Sequence, residues 1–270
     1  LTWGDNMPPV SRQYSPEEVE VMGYLPDIKD VRKEVAQYYG SVYRGDQSIG
    51  GVLDALEESG LSDNTVVIFL SDHGAAFPFS KAQCYLNSSK TPLIIRWPEK
   101  IRPGSVDSTH FVTGIDLMPT IMEIAGLPLI PKLDGQSFLP LLFDKKQRDR
   151  EYAYSTFYQI FAKKRFPMRC LQNEDFGYIY NFWSDHQTEI RGDATGGLTW
   201  RAMIKAAETD LEIAKRVELY KYRVPEEFYN FKNDPDGLVN LVNDPAYAKE
   251  LMKFRKKMLE MMKKYNDPAY

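Results

Sequence analysis

The stretch "VIFLSDHGAAFPFSK", residues 67–81, decides how the chain is read. It continues the apolar run "TVVIFL" at 65–70, which ends abruptly before Asp72, His73 and Gly74. A continuous β-branched and apolar run of this kind predicts a strand covered on both faces, as in a parallel sheet. In an open α/β sheet, ligands collect in the crevice beyond the carboxyl ends of the strands, and Asp72 and His73 fall at that position. A carboxylate and an imidazole are both competent ligands for a divalent ion, the carboxylate favouring hard ions. Adjacent residues of an extended strand point to opposite faces. At a loop opening, with Gly74 freeing the backbone, both can turn toward one site. Lys81, eight residues after His73, offers a compact positive charge for an anion. Asp-His-Gly also suits a plain turn with a hydrogen-bonded histidine; its place after the strand gives it functional weight.

Working outward, "PLIIRW" (92–97) reads as a second strand of the same kind. "HFVTGIDLMPTIMEIAGL" (110–127) predicts a short strand and then a helix started by Asp116, with Pro119 in its first turn. Upstream, a long helix is expected from "LPDIKDVRKEV" (25–35) to about Glu58, with Asp27 as N-cap and Asp30 in the first turn. Val31, Val35, Tyr38 and Val42 form its apolar stripe. Arg44 and Asp46 within it are read as surface or ion-pair residues. Residues 1–26, rich in proline and polar residues, read as an extended arm over a surface. Strands alternating with helices place residues 1–145 in the α/β class.

Beyond residue 145 the pattern changes to antiparallel strands. "EYAYSTF" (151–157) is one, and "MRCLQNEDFGYIYNFW" (168–183) a pair turning around "NEDFG". "EEFYNFKNDPDGLVNLVNDP" (226–245) is a strand followed by two Asp-Pro turns. A final helix from about Ala246 carries Leu251, Phe254, Met258 and Met261 as its buried stripe and its lysines and arginines as a solvated face. Residues 146–270 are therefore expected to form a smaller α+β unit.

Composition narrows the function classes. A chain of 270 residues, 43% hydrophobic and 27% charged, can bury a sizeable core in one large or two ordinary domains. A net charge of −4, from 34 basic and 38 acidic residues, argues against nucleic-acid binding. No run approaches the roughly 18 apolar residues of a membrane span, and no charged-then-apolar leader opens the chain. The first residue is leucine, so the chain reads as a mature form, a fragment or a trimmed sequence. Cys84 and Cys170 are too few for a disulfide framework; they suit one bond or none, and read as small buried residues.

An ordered series carries a family resemblance: "YYGSVYRGDQSIGGVLDALEESGLSDNTVVIFLSDHG" (38–74), "TPLIIRWP" (91–98), "VTGIDLMPTIMEIAGL" (112–127), "LDGQSFLPLL" (133–142) and residues 226–245. It resembles the C-terminal part of the sulfatase family, in the alkaline phosphatase superfamily. "FPFSKAQCYLN" (77–87) and "RFPMRCLQNEDFGYIYNFW" (165–183) are most similar to the N-sulfoglucosamine sulfohydrolase branch. The resemblance implies part of a mixed sheet flanked by helices over 1–145, then a C-terminal subdomain with an antiparallel sheet over 146–270. It implies a sulfate ester or sulfamate hydrolase acting on a sulfated carbohydrate. Asp72 matches the family's metal-binding aspartate, and His73 occupies the next ligand position, where many members carry asparagine. Lys81 matches the basic residue that contacts sulfate, and Arg169 is a candidate substrate contact. Tyr158 and Gln159 fall near positions where that branch carries a histidine and a glutamate, a departure that weighs against N-sulfoglucosamine as substrate. The implied metal is Ca²⁺, with Mn²⁺ or Mg²⁺ as alternatives, and the implied location is periplasmic, secreted or lysosomal.

The family's nucleophile, a formylglycine from Cys/Ser-x-Pro/Ala-x-Arg, has no counterpart. Cys84 continues "YLNS" and Cys170 continues "LQNE". The paired aspartates of the family's first strand are absent as well, so the resemblance covers a second half whose partner is the missing N-terminal half. His110 reads as structural, and His186 lies in the insertion-like stretch "FWSDHQTEIRGD" (182–193), with a border to the substrate as the alternative reading. Two other readings are a phosphodiesterase or phosphonate monoester hydrolase of the same superfamily, and a non-catalytic binding module. The bare sheet edge left without the family's first strands argues against the second of these.

Overall fold

Lys29–Glu58 fold into α1 because an apolar residue returns every three to four positions. Val31 and Val35 are fully buried, Ala36 and Gly40 follow, and beyond them the stripe emerges: Val42, Val52 and Leu53 are exposed. The computed structural model describes residues 11–160 and 162–270, so the first ten residues of the expected arm lie outside it. The rest of that arm is not only a surface cover, since Val19, Tyr24 and Leu25 are buried in the core. Asp27 does not cap the helix. Its two carboxylate oxygens take Nε and an Nη of Arg32 at 2.5 and 2.6 Å, and a guanidinium fork outcompetes one backbone amide. Ile28 stands at the N-cap instead, and Asp30 sits in the first turn as expected.

The first two strands depart from the parallel reading. β1 (Val67–Leu70) pairs antiparallel with β2 (Leu93–Arg96), from Val67 opposite Arg96 to Leu70 opposite Leu93. Parallel neighbours need a connection that crosses back to the starting end of the sheet, antiparallel ones only a connection that turns the chain round. The connection here holds a single helical turn, α2 (Leu86–Ser89), and reverses the chain. Nor are both faces covered: Phe69, Leu70, Leu93 and Ile94 are exposed. The expected strand at 110–113 is replaced by a capping box in which Thr113 and Asp116 bracket a 3-10 turn, leading into α3 (Leu117–Ile124). Asp116 thus opens the helix as expected, with Pro119 third in it. Its carboxylate turns inward to Arg150 and to the amides of Thr113 and Gln136. Gly135 makes this approach possible, because a Cβ there would lie 2.0 Å from the Ile115 carbonyl oxygen. α4 (Leu139–Leu142) completes this part.

The second sheet runs β3 (Ala153–Gln159), β4 (Arg165–Gln172), β5 (Phe176–Asn181) and β6 (Glu226–Asn230), in that order and antiparallel throughout. The β4–β5 turn falls where expected, and Asn173 Oδ1 accepts from the amides of Asp175 and Phe176. Between β5 and β6 lie α5 (Leu198–Ala206) and α6 (Leu211–Tyr222), the latter capped by Asp210. Period-two alternation sorts the strands between two cores. Met168, Cys170, Ile179 and Tyr229 face α1, α5, α6 and the 77–85 segment. Leu171, Tyr178 and Phe228 face α7 (Ala248–Lys264). The larger core therefore draws residues from both sides of position 145. On α7 the buried stripe ends at Met262, with Met261 only half-buried, because a four-residue step from Met258 keeps the helical phase.

Arg169, on β4, is buried and forms a two-pronged ion pair with Asp267 beyond α7, which also accepts from Tyr154 at 2.6 Å. Burial alone would raise the Asp267 pKa, but the hydrogen bonds from Arg169 and Tyr154 outweigh it and hold the group at about 2. An unfolded aspartate titrates near 3.9. The folded value is depressed, so the stabilisation is present above about pH 4 and is lost as pH falls toward 2. Acid unfolding monitored by circular dichroism should show this loss, of about 2 kcal/mol. Asp267→Asn should flatten the pH dependence in that window while lowering stability at neutral pH.

Candidate functional site

Asp72 and His73 lie just past the end of β1, as their place in the sequence predicts. The Asp72 side chain is 83% exposed and that of His73 41%. Asp72 Oδ1 accepts from the His73 amide at 3.0 Å, which turns the carboxylate back over its neighbour. His73 Nδ1 lies 2.8 Å from the Gly74 carbonyl, so Nδ1 carries the proton and donates. Nε2 lies 3.2 Å from Asp72 Oδ2. With a proton on Nε2 the two form an ion pair; without it, imidazole nitrogen and carboxylate oxygen are of the kinds that would hold a divalent ion. The donors fit such an ion in kind and fall short in number: among the described residues no group of three His, Cys, Asp or Glu side chains comes together.

Gly74 holds this loop against the next one. Its amide donates to the Ser88 carbonyl at 3.0 Å, and a Cβ would stand 1.9 Å from the Asn87 carbonyl oxygen. Ser80 Oγ donates to the same Asn87 carbonyl at 2.9 Å. Between these anchors Phe77, Phe79, Cys84 and Tyr85 are buried. Phe79 and Ala82 both adopt positive φ, 63° and 58°, on either side of Lys81. Left-handed non-glycine residues persist where their surroundings hold them, and they cluster at functional sites. Lys81 is one-quarter exposed and lies 3.2 Å from Asp193, in the 3-10 turn before α5. The structure thus pairs Asp72 with His73, and sets Lys81 against Asp193.

Residues that the sequence reading passed over hold the Lys81 segment. Arg223, buried and itself at φ 57°, donates to Gln83 Oε1 at 2.5 Å, and its guanidinium lies about 5 Å from the ring centres of Phe79, Tyr85 and Tyr220. Arg216 stacks on Phe79 at 3.8 Å. Glu227 is wholly buried and accepts from Tyr85, Tyr229 and Asn181 at 2.6, 2.5 and 2.8 Å. Burial drives both tyrosines well above the usual phenol range, so they remain donors. The available signal was Glu227 itself, a carboxylate within the apolar strand "EEFYNF".

The other candidates sort plainly. Arg169 is committed to Asp267 and backbone carbonyls inside the sheet. Cys84 and Cys170 are buried free thiols; desolvation pushes Cys84 up to about 12 and Cys170 well above the usual thiol range, so neither is a thiolate. His110 pairs with Asp107. His186, at φ 60°, sits in a turn whose amides Asp185 caps. Tyr158 is exposed beneath Arg165, and Gln159 pairs with Arg165 in the sheet register.

Comparison with known proteins gives a consistent result. The family model described as Sulfatase matches residues 2–127, and the one described as N-sulphoglucosamine sulphohydrolase, C-terminal, matches residues 73–190. An ulvan-active sulfatase of Formosa agariphila is 33% identical, over 87% of this chain and 44% of its own. The N-sulphoglucosamine sulphohydrolase of Homo sapiens is 27% identical, over 94% of this chain and 53% of its own. A solved structure described as a complex with its substrate D-glucosamine-2-N,6-O-disulfate superposes with a TM-score of 0.63 at 23% identity. It covers 88% of this chain and 43% of that one, a likeness of fold. The chain spans about half the length of the curated relatives it matches.

Proposed function

From the premise that this chain belongs to the sulfatase family, we propose that it supplies the cation side of a sulfuryl-transfer site for a sulfated carbohydrate. The observation that carries the reading is the approach of Asp72 Oδ2 and His73 Nε2 to 3.2 Å at the end of β1. These two would hold a divalent metal, Ca²⁺ in first place with Mn²⁺ or Mg²⁺ as alternatives. The metal would act as Lewis acid and template for the sulfate oxygens. Lys81 neutralises a sulfate oxygen, and Asp193 keeps its ammonium oriented in the absence of substrate. Sulfuryl transfer moves an anionic group, so such preorganised charge is the largest contribution this chain can make.

The nucleophile, a formylglycine, comes from outside residues 1–270. Residues 1–145 are the C-terminal part of the catalytic α/β domain, and 146–270 a C-terminal subdomain. The apolar face of β1 and β2, with the exposed Ile115, Met118 and Ile121 around α3, is where the remaining half packs. Among the described residues no helix is long and apolar enough to cross a membrane. A periplasmic, secreted or lysosomal location accords with the family. The test is sulfate release from D-glucosamine-2-N,6-O-disulfate and from an aryl sulfate by the complete protein. Turnover of both, abolished by a chelator and restored by Ca²⁺, is expected. Turnover of a phosphonate monoester with neither sulfate hydrolysed would overturn the reading.

A further inference from the structure

A cleft of about 320 Å³ opens between the 189–195 loop and the start of α5, lined by Glu189, Ile190, Arg191, Thr195 and Trp200. We infer that it is a subsite for a sugar unit carrying an anionic group, next to the unit whose sulfate Lys81 holds. The inference rests on the sulfatase reading above and extends it to substrate specificity.

Position is the first argument. Asp193, which pairs with Lys81 at 3.2 Å, lies between Arg191 and Thr195 on the same loop. Two residues of chain reach at most about 7 Å, so the cleft wall and the Lys81 cation are neighbours. The volume is at the lower end of the roughly 300–1,000 Å³ typical of small-molecule sites, which suits one ring rather than a polymer segment.

Chemistry is the second. Glu189 lies 3.3 Å from both Arg191 and Lys221, so two cations share one carboxylate and a net positive charge remains. The Arg191 side chain is 76% exposed and, among the described residues, makes that one long contact with its five donors. It can turn its fork to a sulfate or carboxylate. Glu189 and the remaining lone pair of Thr195 Oγ1 supply acceptors for sugar hydroxyl groups. Trp200, buried and packed on Tyr220 with 4.8 Å between ring centres, forms part of the rigid apolar floor of the cleft with the buried Ile190. A polyphosphate would meet Glu189 as a repulsive neighbour, whereas a hydroxylated ring with one anionic group pairs its charge with Arg191 and its hydroxyls with Glu189 and Thr195.

Preorganisation is the third. The Ile190 amide donates to the Lys221 carbonyl at 2.8 Å, and Thr195 Oγ1 donates to the Gly192 carbonyl at 2.7 Å. The first amides of α5, at Leu198 and Thr199, are taken by Glu34 of α1 at 3.0 and 2.5 Å. The loop is fixed from both ends before any ligand arrives, which lowers the ordering cost of binding.

The test titrates glucosamine 6-sulfate, glucuronate, N-acetylglucosamine and inorganic sulfate into the 270-residue chain, followed by calorimetry and by the indole resonance of Trp200. Both anionic sugars should bind about 5–10-fold more tightly than N-acetylglucosamine and than inorganic sulfate, the scale of one charge-assisted contact. Arg191→Ala, a surface change that leaves the core intact, should abolish that preference. A preference that survives in Arg191→Ala, equal binding of inorganic sulfate, or no sugar binding at tens of millimolar would each overturn the subsite. Absence of turnover by the complete protein, with Arg191-dependent binding intact, would instead overturn the sulfatase reading.

Discussion

Asp72→Ala in the complete enzyme should cost metal occupancy and lower kcat by about a hundredfold or more. That is the scale on which loss of one well-placed electrostatic partner registers. The expectation follows from geometry. Asp72 offers an exposed carboxylate whose second oxygen faces His73 Nε2 at 3.2 Å, while Nδ1 is tied to the Gly74 carbonyl. Without the carboxylate the imidazole is left as the single ligand of the pair. Elemental analysis of the purified variant separates this cause from misfolding, because an 83% exposed side chain contributes little to packing. Full metal occupancy with an unchanged rate would remove Asp72 from the site.

Asp116→Ala should have the largest effect on stability. Its buried carboxylate accepts from Arg150 at 2.5 Å, from the Gln136 amide at 2.8 Å and from the Thr113 amide and hydroxyl at 2.9 and 3.2 Å. Arg150 is buried too, and also donates to the Gln136 carbonyl at 2.7 Å. Removing one partner of a buried pair leaves an uncompensated charge, at a cost of about 3–5 kcal/mol. Urea denaturation of the chain should show a matching fall in midpoint at unchanged slope. A second change, Arg150→Leu, should recover part of the loss by removing the stranded guanidinium. If Asp116→Ala alone unfolds at the parent's midpoint, the pair does not hold 111–116 against 134–138 as described.

The elements legible in the sequence were those governed by local periodicity. α1 ends at Glu58 as its apolar spacing predicts, the β4–β5 turn falls at Asn173–Asp175, and α7 carries Leu251, Phe254 and Met258 inward. Pairing direction was not legible. "VVIFL" is apolar throughout and "PLIIRW" apolar but for Arg96, and a nearly uniform apolar run does not reveal whether its neighbour runs with it or against it. Charge partners were not legible either. Asp27 looked like a cap because caps are local, but Arg32 claims it. Arg169 looked free to reach a substrate, and its partner Asp267 stands 98 residues away. At the candidate site the sequence placed Asp72 and His73 on their loop. It did not reveal the scaffold of Arg223, Gln83 and Glu227, whose members meet only across the fold.

The measurement that tests the central claim most directly is hydrolysis of an aryl sulfate, with Ca²⁺ present, by residues 1–270 alone and by the same chain joined to the part of a sulfatase that bears the nucleophile. On the proposed reading, in which residues 1–270 supply the metal-binding and sulfate-binding side of the site and not the formylglycine, the chain should show no turnover alone and measurable turnover when joined. Sulfate release by residues 1–270 alone would contradict the account, since a nucleophile would then have to lie within residues 1–270.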